Sequence, residues 1–313
     1  MSERTKIAWC DSTANPVIGC DKVSAGCKNC YAMFDTPARV LRHRGIETWG
    51  PNGDRYQVKG FEKSLLAMNR KPWICDECGK AYPNPQAHFC ERQEATMTAG
   101  ETGWHRRRVF INSNSDWLDL RWRAEVLAHM FDVIRRCPDI IHILCTKRPE
   151  SFEDRMAWAL NEAHDLLLKN PELEEEDRDD KPLSSAFQFI HHWVIVGNPP
   201  PNVILLTSVE NQEMADERIP ELLRIPAACR GLSLEPLLGD VKLEGDGDDF
   251  EERSYLRQTD EHGAELLNWL IVGGESGPNA RPCNIEWVRS LVRQGQAAGV
   301  PVFVKQLGAN SFR

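Results

Sequence analysis

Three cysteines, Cys20, Cys27 and Cys30, lie in one short run, Asn15-Pro-Val-Ile-Gly-Cys-Asp-Lys-Val-Ser-Ala-Gly-Cys-Lys-Asn-Cys-Tyr-Ala32. The C-x6-C-x2-C spacing offers three thiolates from a single loop, one fewer than a closed zinc or iron–sulfur site takes. A four-iron cluster held by three cysteines keeps an open position on its fourth iron, and an open metal position is where a substrate or cofactor binds. A second group, Cys75, Cys78, His88 and Cys90, has C-x2-C-x9-H-x-C spacing in a stretch punctuated by Gly and Pro. Four soft or borderline ligands so close in sequence suit a tetrahedral Zn2+ that stabilises a small insertion with no core of its own. The plainer alternatives are a surface His88 or a zinc ligand supplied from elsewhere. Lys63, Arg70 and Lys71 precede this group and Arg106, Arg107 and Arg108 follow it, which suits contact with a nucleic acid.

These residues need a scaffold, and the chain spells one out from residue 108 onward, where short β-branched runs alternate with helical patterns. That alternation predicts parallel strands joined by helices. The expected strands are Val109–Asn112, Ile140–Cys145, Val203–Ser208, Gly231–Leu234, Trp269–Val272 and Val302–Val304. A helix over Trp122–Arg136 puts Val126, Met130, Val133 and Cys137 on one stripe. Others run from near Asn211 towards Leu223 and over Ile285–Ala298, the last with Asn284 as N-cap and Gly299 as its stop.

Polar residues follow each strand: Asn112-Ser-Asn-Ser-Asp116, Thr146-Lys-Arg-Pro149, Val209-Glu-Asn211, Glu235-Pro236, Gly273-Gly-Glu-Ser-Gly277 and Lys305-Gln306. In a parallel α/β fold the carboxyl ends of the strands form the active face, so six loops point at one site. Turn chemistry alone gives the same pattern loop by loop: Asp116 as a helix cap, Lys147 and Arg148 as a solvated pair, the glycines as ordinary turn formers.

Composition narrows the class. At 313 residues, with 41% hydrophobic and 27% charged residues, the chain is neither disordered nor fibrous, and no apolar run approaches the ~20 residues of a membrane helix. The start, Met-Ser-Glu-Arg-Thr-Lys, has no apolar signal core, so a cytoplasmic location is expected and the eleven cysteines read as metal ligands rather than disulfides. The net charge of −9 argues against non-specific nucleic-acid binding, but much of it sits in two acidic segments, 171–181 and 244–254.

With triad, serial strands and loops together, the chain resembles a phage-associated three-cysteine-motif family of radical-SAM character, distantly similar to spore photoproduct lyase. The matching pieces are Lys6-Ile-Ala-Trp9, Asn15-Pro16, Gly19-Cys20, Gly26-Cys27-Lys-Asn-Cys30-Tyr-Ala32, Ser113-Asn-Ser-Asp116, Thr146-Lys-Arg-Pro149, Ser208-Val-Glu-Asn211, Leu232-Ser-Leu-Glu-Pro-Leu-Leu238, Gly273-Gly-Glu-Ser-Gly277 and Phe303-Val-Lys-Gln306. It departs from the commonest radical-SAM spacing, C-x3-C-x2-C, in its longer first gap and in having Asn29 where an aromatic precedes the last cysteine.

The resemblance implies a partial (β/α) barrel with a [4Fe–4S] cluster at its mouth. The fourth iron chelates S-adenosylmethionine, and one-electron reduction yields methionine and a 5′-deoxyadenosyl radical. It divides the chain into a cluster-binding start of the barrel (1–70), a zinc-ribbon-like insertion (71–100) and the remainder of the barrel (101–313). Cofactor contacts then fall to Ser113, Ser115, Asp116, Glu210 and Asn211, with Lys147 or Arg148 for the methionine carboxylate and Gly273 and Gly274 for the approach of backbone. Glu275, Glu235 and Lys305 become the catalytic candidates. Asp116, Arg148, Glu210 and Glu275 are expected to line one cavity. Cys10, Cys145 and Cys283, near strand ends, read either as hydrogen donors or as buried structural thiols. The expected target is a modified or damaged nucleic-acid base in DNA or RNA, with a separate electron donor and no membrane. Two alternatives stay open: a radical enzyme acting on a small molecule or peptide, and a non-catalytic zinc-stabilised nucleic-acid-binding protein in which Cys10 completes a second zinc site.

Overall fold

Along each strand alternate side chains face opposite ways, so a sheet covered on both faces needs apolar residues at every position. The computed structural model describes residues 5–69, 106–169, 185–244, 254–260, 266–277 and 279–312, and the backbone of three further strands, Trp73–Cys75, Ala81–Tyr82 and Met97–Ala99. One seven-stranded sheet organises the chain: β1 (Ser12–Ala14), β2 (Arg107–Ile111), β3 (Ile140–Thr146), β4 (Val203–Ser208), β5 (Cys229–Leu234), β6 (Trp269–Gly273) and β7 (Val302–Gln306). Every neighbouring pair is parallel, and the order in space is the order in the chain.

Stepping always to the next strand with right-handed crossovers puts the connecting helices on one face. These are α2 (Phe61–Met68), α3 (Ala124–Arg135), α4 (Phe152–Lys169), α5 (Ala186–Val194), α6 (Gln212–Arg224) and α7 (Ile285–Ala298), whereas α1 (Thr36–His43) packs apart from this face, on Ile18 and Trp49. The sheet curls around its other face into a half-barrel. Between α2 and β2, the strand Trp73–Cys75 pairs antiparallel with Ala81–Tyr82 on one side and Met97–Ala99 on the other. Cys78, His88, Cys90 and the side chain of Cys75 lie outside the described residues.

Strand parity sorts the core into two. Val109, Ile111, Leu144, Leu205, Leu232, Leu234, Leu270 and Val272 pack under the helices, where the Val126, Met130, Val133 and Cys137 stripe of α3 meets them. Phe110, Ile143, Leu206 and Ile271 face the interior and form a separate apolar layer with Trp9. The Trp9 ring, 4.8 Å from Phe110 and 6.2 Å from Trp269, spans this layer from β2 to β6. Among the described residues, no helix is long and apolar enough to cross a membrane.

His142 on β3 is fully buried on the helix-covered side, with Nε2 donating to the Cys137 carbonyl at 2.9 Å and Nδ1 unpartnered. Burial lowers its pKa from 6.5 to about 4, so the fold holds it neutral. The unfolded chain binds this proton first as pH falls, so the group penalises folding progressively from pH 6.5 down to about 4. The full gap corresponds to on the order of 3 kcal/mol. Urea titrations across this range should show a shallower pH dependence in His142→Gln than in the parent.

Candidate active site

The cysteine loop is pinned to the carboxyl ends of the strands by charged side chains that arrive from three of them. After β4, Glu210 is fully buried, accepts from the Gly26 amide at 3.0 Å and pairs with Arg218 at 3.0 Å. A Cβ on Gly26 would stand 3.0 Å from that carboxylate, so glycine is what admits it. Burial opposes the Glu210 charge, but the Ser24 hydroxyl, Arg218, Lys147 and the Gly26 N–H outweigh it and hold its pKa down.

After β6, Glu275 accepts from Asn29 Nδ2 at 2.9 Å and from the backbone and side chain of Arg281, whose Nη1 reaches on to the Ala25 carbonyl at 2.7 Å. Hydrogen bonding to Arg281 keeps the Glu275 carboxyl at about 2. After β2, Asp116 accepts from Thr146 Oγ1 (2.7 Å) and the Lys147 amide (2.8 Å) and pairs with Arg148 (3.1 Å). Arg148 donates in turn to Cys20 Sγ at 3.7 Å and to the Asp21 carbonyl at 3.2 Å.

The pinned loop roofs a cavity of about 220 Å³. Its wall carries Cys20, Cys27 and Cys30, its interior Trp9 and Phe110, and its strand-end side the inward-facing Cys145, Ser208, Ser233, Glu235 and Lys305. Glu235 and Lys305 pair with each other at 3.0 Å. A Cβ on Gly273 would stand 2.6 Å from Glu235 Oε1, so that glycine leaves room for the acid. Lys147 lines the same cavity, and its ammonium has no ion-pair partner among the described residues. Burial works against its charge, and the thiols of Cys145, Cys27 and Cys30 together with Glu210 outweigh it and raise its pKa.

The donor chemistry fits an iron–sulfur cluster. Burial pushes the Cys20 thiol up to about 12 and also raises that of Cys30, so both stay protonated unless a positive charge is brought to them. The backbone N–H groups of Ala32 and Met33 hydrogen-bond to the Cys30 sulfur, and Arg148 to that of Cys20. Were these sulfurs to hold a cluster, such hydrogen bonds would tune it. Among the described residues, no three His, Cys, Asp or Glu side chains close around a single metal ion. A cubane is wider than one ion, and its ligands stand further apart.

The expected residues separate into two groups. Ser113, Ser115, Asp116, Lys147, Glu235, Gly274, Glu275 and Lys305 line the cavity with the three cysteines. Arg148, Glu210, Asn211 and Gly273 do not. Asn211 is the N-cap of α6, its side chain accepting from the Met214 amide at 3.0 Å. Ser115 Oγ is bonded to the Val17 carbonyl and Ser113 Oγ to Asn15. Of the three strand-end thiols, Cys145 lines the cavity and bonds Ser208 Oγ at 3.5 Å, whereas Cys283 is buried under the helices. Cys10 lies in the inner apolar layer, its thiol pushed up to about 12 by burial. Sequence reasoning missed Ser208 and Ser233, which strand parity could have found. It also missed Arg281 and Arg218, which carry no local signal.

No curated protein and no solved structure matches the chain. A family described as "Protein of unknown function (DUF5131)" matches residues 4–312, and the chain belongs to that family.

Proposed function

We propose that this protein is a radical S-adenosylmethionine enzyme whose Cys20, Cys27 and Cys30 hold a [4Fe–4S] cluster, and that it modifies or repairs a nucleic-acid base. One observation carries the reading: three thiols of a single pinned loop share one cavity at the mouth of a parallel half-barrel, beside the Lys147 ammonium, which makes no ion pair among the described residues. The resemblance to the radical-SAM three-cysteine-motif family supports it. When bound, the cluster and S-adenosylmethionine together supply a 5′-deoxyadenosyl radical on one-electron reduction.

The chain's own residues position and shield. Lys147 offers a cation to a carboxylate and offsets the negative charge of the thiolates. Arg148 cannot serve in that way while it holds Asp116, Cys20 and the Asp21 carbonyl. Trp9 and Phe110 make a dry floor that keeps water from a reactive species. Asp116, Glu210 and Glu275 act as positioning residues, because their oxygens are already engaged: Glu210 and Glu275 hold the cysteine loop directly, and Asp116 holds Arg148, which reaches it. Glu235 and Lys305 are left to meet the substrate. Cys10 sits in the layer below the cavity, which weighs against a second zinc site completed by it. The spacing of Cys75, Cys78, His88 and Cys90 supports a Zn2+ in the insertion, and an electron donor is required as partner.

Spectroscopy of the reduced, reconstituted protein tests the cofactor reading. Adding S-adenosylmethionine should change the electron paramagnetic resonance spectrum of the cluster, and Lys147→Met should raise the concentration needed by about tenfold, the loss of one charge-assisted contact. A spectrum indifferent to S-adenosylmethionine at millimolar levels would count against it.

A further inference from the structure

Just outside the cavity mouth the surface is basic and aromatic, although the whole chain carries −9. From residue 21 to 47 there are five Lys or Arg and three acids, and each acid is already engaged. Asp35 caps α1 through the Thr36 amide, Glu47 pairs with Arg42, and Asp21 takes the Lys22 amide. That leaves Lys22, Lys28, Arg39 and Arg44 exposed, none with a carboxylate partner among the described residues.

Two rings stand among these cations. Phe34 is 65% exposed, and Tyr31, 53% exposed, is fixed by a hydrogen bond from its hydroxyl to the Ser113 carbonyl at 2.9 Å. Tyr31 and Lys22 also line the cavity, so the patch begins at the rim of the site, and Phe34 and Arg39 follow Tyr31 in sequence into α1. The helix is firmly seated: Ala38 and Leu41 pack on Ile18, with Trp49, itself a cavity residue, against them. An exposed Phe costs solubility and does nothing for that packing.

We infer that the cysteine loop and α1 form a docking surface for single-stranded nucleic acid, with Tyr31 and Phe34 stacking bases and Lys22, Lys28, Arg39 and Arg44 contacting phosphates. This rests on the proposed reading of the site and names its substrate class. Cations alone would suit any polyanion, but two exposed aromatic rings beside them, Tyr31 held in place by its hydroxyl, suit unpaired bases, whose faces are free. The cavity lies beneath the cysteine loop, where a duplex cannot enter, so the target base must arrive unstacked.

Fluorescence anisotropy with labelled 12-mer DNA and RNA, single-stranded and duplex, tests this on the full-length reconstituted protein. Single strands should bind with an affinity that falls steeply as salt rises. Arg39→Glu/Arg44→Glu should reduce the slope of log affinity against log salt by about 1.4, the share of two phosphates. Phe34→Ala should weaken binding about tenfold at constant salt. Arg293→Glu, a single charge reversal on the exposed face of α7, should change neither. The DNA and RNA arms decide which strand is preferred.

Absence of binding, equal affinity for duplex, equal loss in Arg293→Glu, or displacement by polyglutamate with Phe34→Ala unaffected would each overturn the assignment. Iron content and 5′-deoxyadenosine are measured on the same samples. Salt-sensitive single-strand binding without iron keeps this surface and removes the radical reading, and the reverse pattern removes only the surface.

Discussion

Replacing Cys20, Cys27 or Cys30 singly by Ala is expected to abolish iron incorporation while leaving the circular dichroism and thermal transition of the parent. Each sulfur faces the cavity rather than the core under the helices, and the loop's anchors at Gly26, Asn29 and Ala25 use groups other than the thiols. The matched control is Cys137→Ala, a thiol buried where α3 meets the sheet. That variant should lose stability and keep its iron. Iron retained in any of the three loop variants would remove that cysteine from the ligand set.

Arg218→Met is expected to be the most damaging single change away from the cysteines. The guanidinium is 2% exposed and bonds both Glu210 and the Ser208 carbonyl, so its loss strands a fully buried carboxylate. Breaking one partner of a buried pair costs about 3–5 kcal/mol. Because Glu210 also holds the Gly26 amide, iron retention should fall along with stability. Adding Glu210→Gln to the Met variant should recover part of the stability, since the cost lies in the uncompensated charge. Chemical denaturation of the parent, the two single variants and the double variant gives the coupling directly.

Much of the frame was legible because buried parallel strands are apolar throughout. Val203–Ser208 and Ile285–Ala298 match the expected bounds, and the other five strands of the expected set shift by a residue or two at their ends. β1 escaped because Ser12–Ala14 is short and polar and becomes a strand only by pairing with Val109–Ile111. The helices α4 and α5 were not anticipated, although Phe152, Met156, Ala159 and Ala163 recur at helical spacing on the buried side of α4.

At the site, sequence order indicated which loops converge but not what each side chain does there. Asp116 and Glu275 reach the cavity as expected, yet four donors hold each of them. Their partners, Arg148 and Arg281, are fixed by tertiary contact with the cysteine loop, and no local pattern announces that. Asn211 followed strand β4 as a polar residue should, and its carboxamide went to the cap of α6. The same residue types serve turns and cofactors, and burial with partner geometry separates the two uses.

The most direct test of the central claim is the appearance of 5′-deoxyadenosine. Protein reconstituted without oxygen, reduced with dithionite and supplied with S-adenosylmethionine should release it together with methionine, as measured by mass spectrometry, and protein lacking the thiol of Cys27 should release none. A fully iron-loaded protein that forms no 5′-deoxyadenosine above the unreduced control, with or without single-stranded oligonucleotide, would contradict the account.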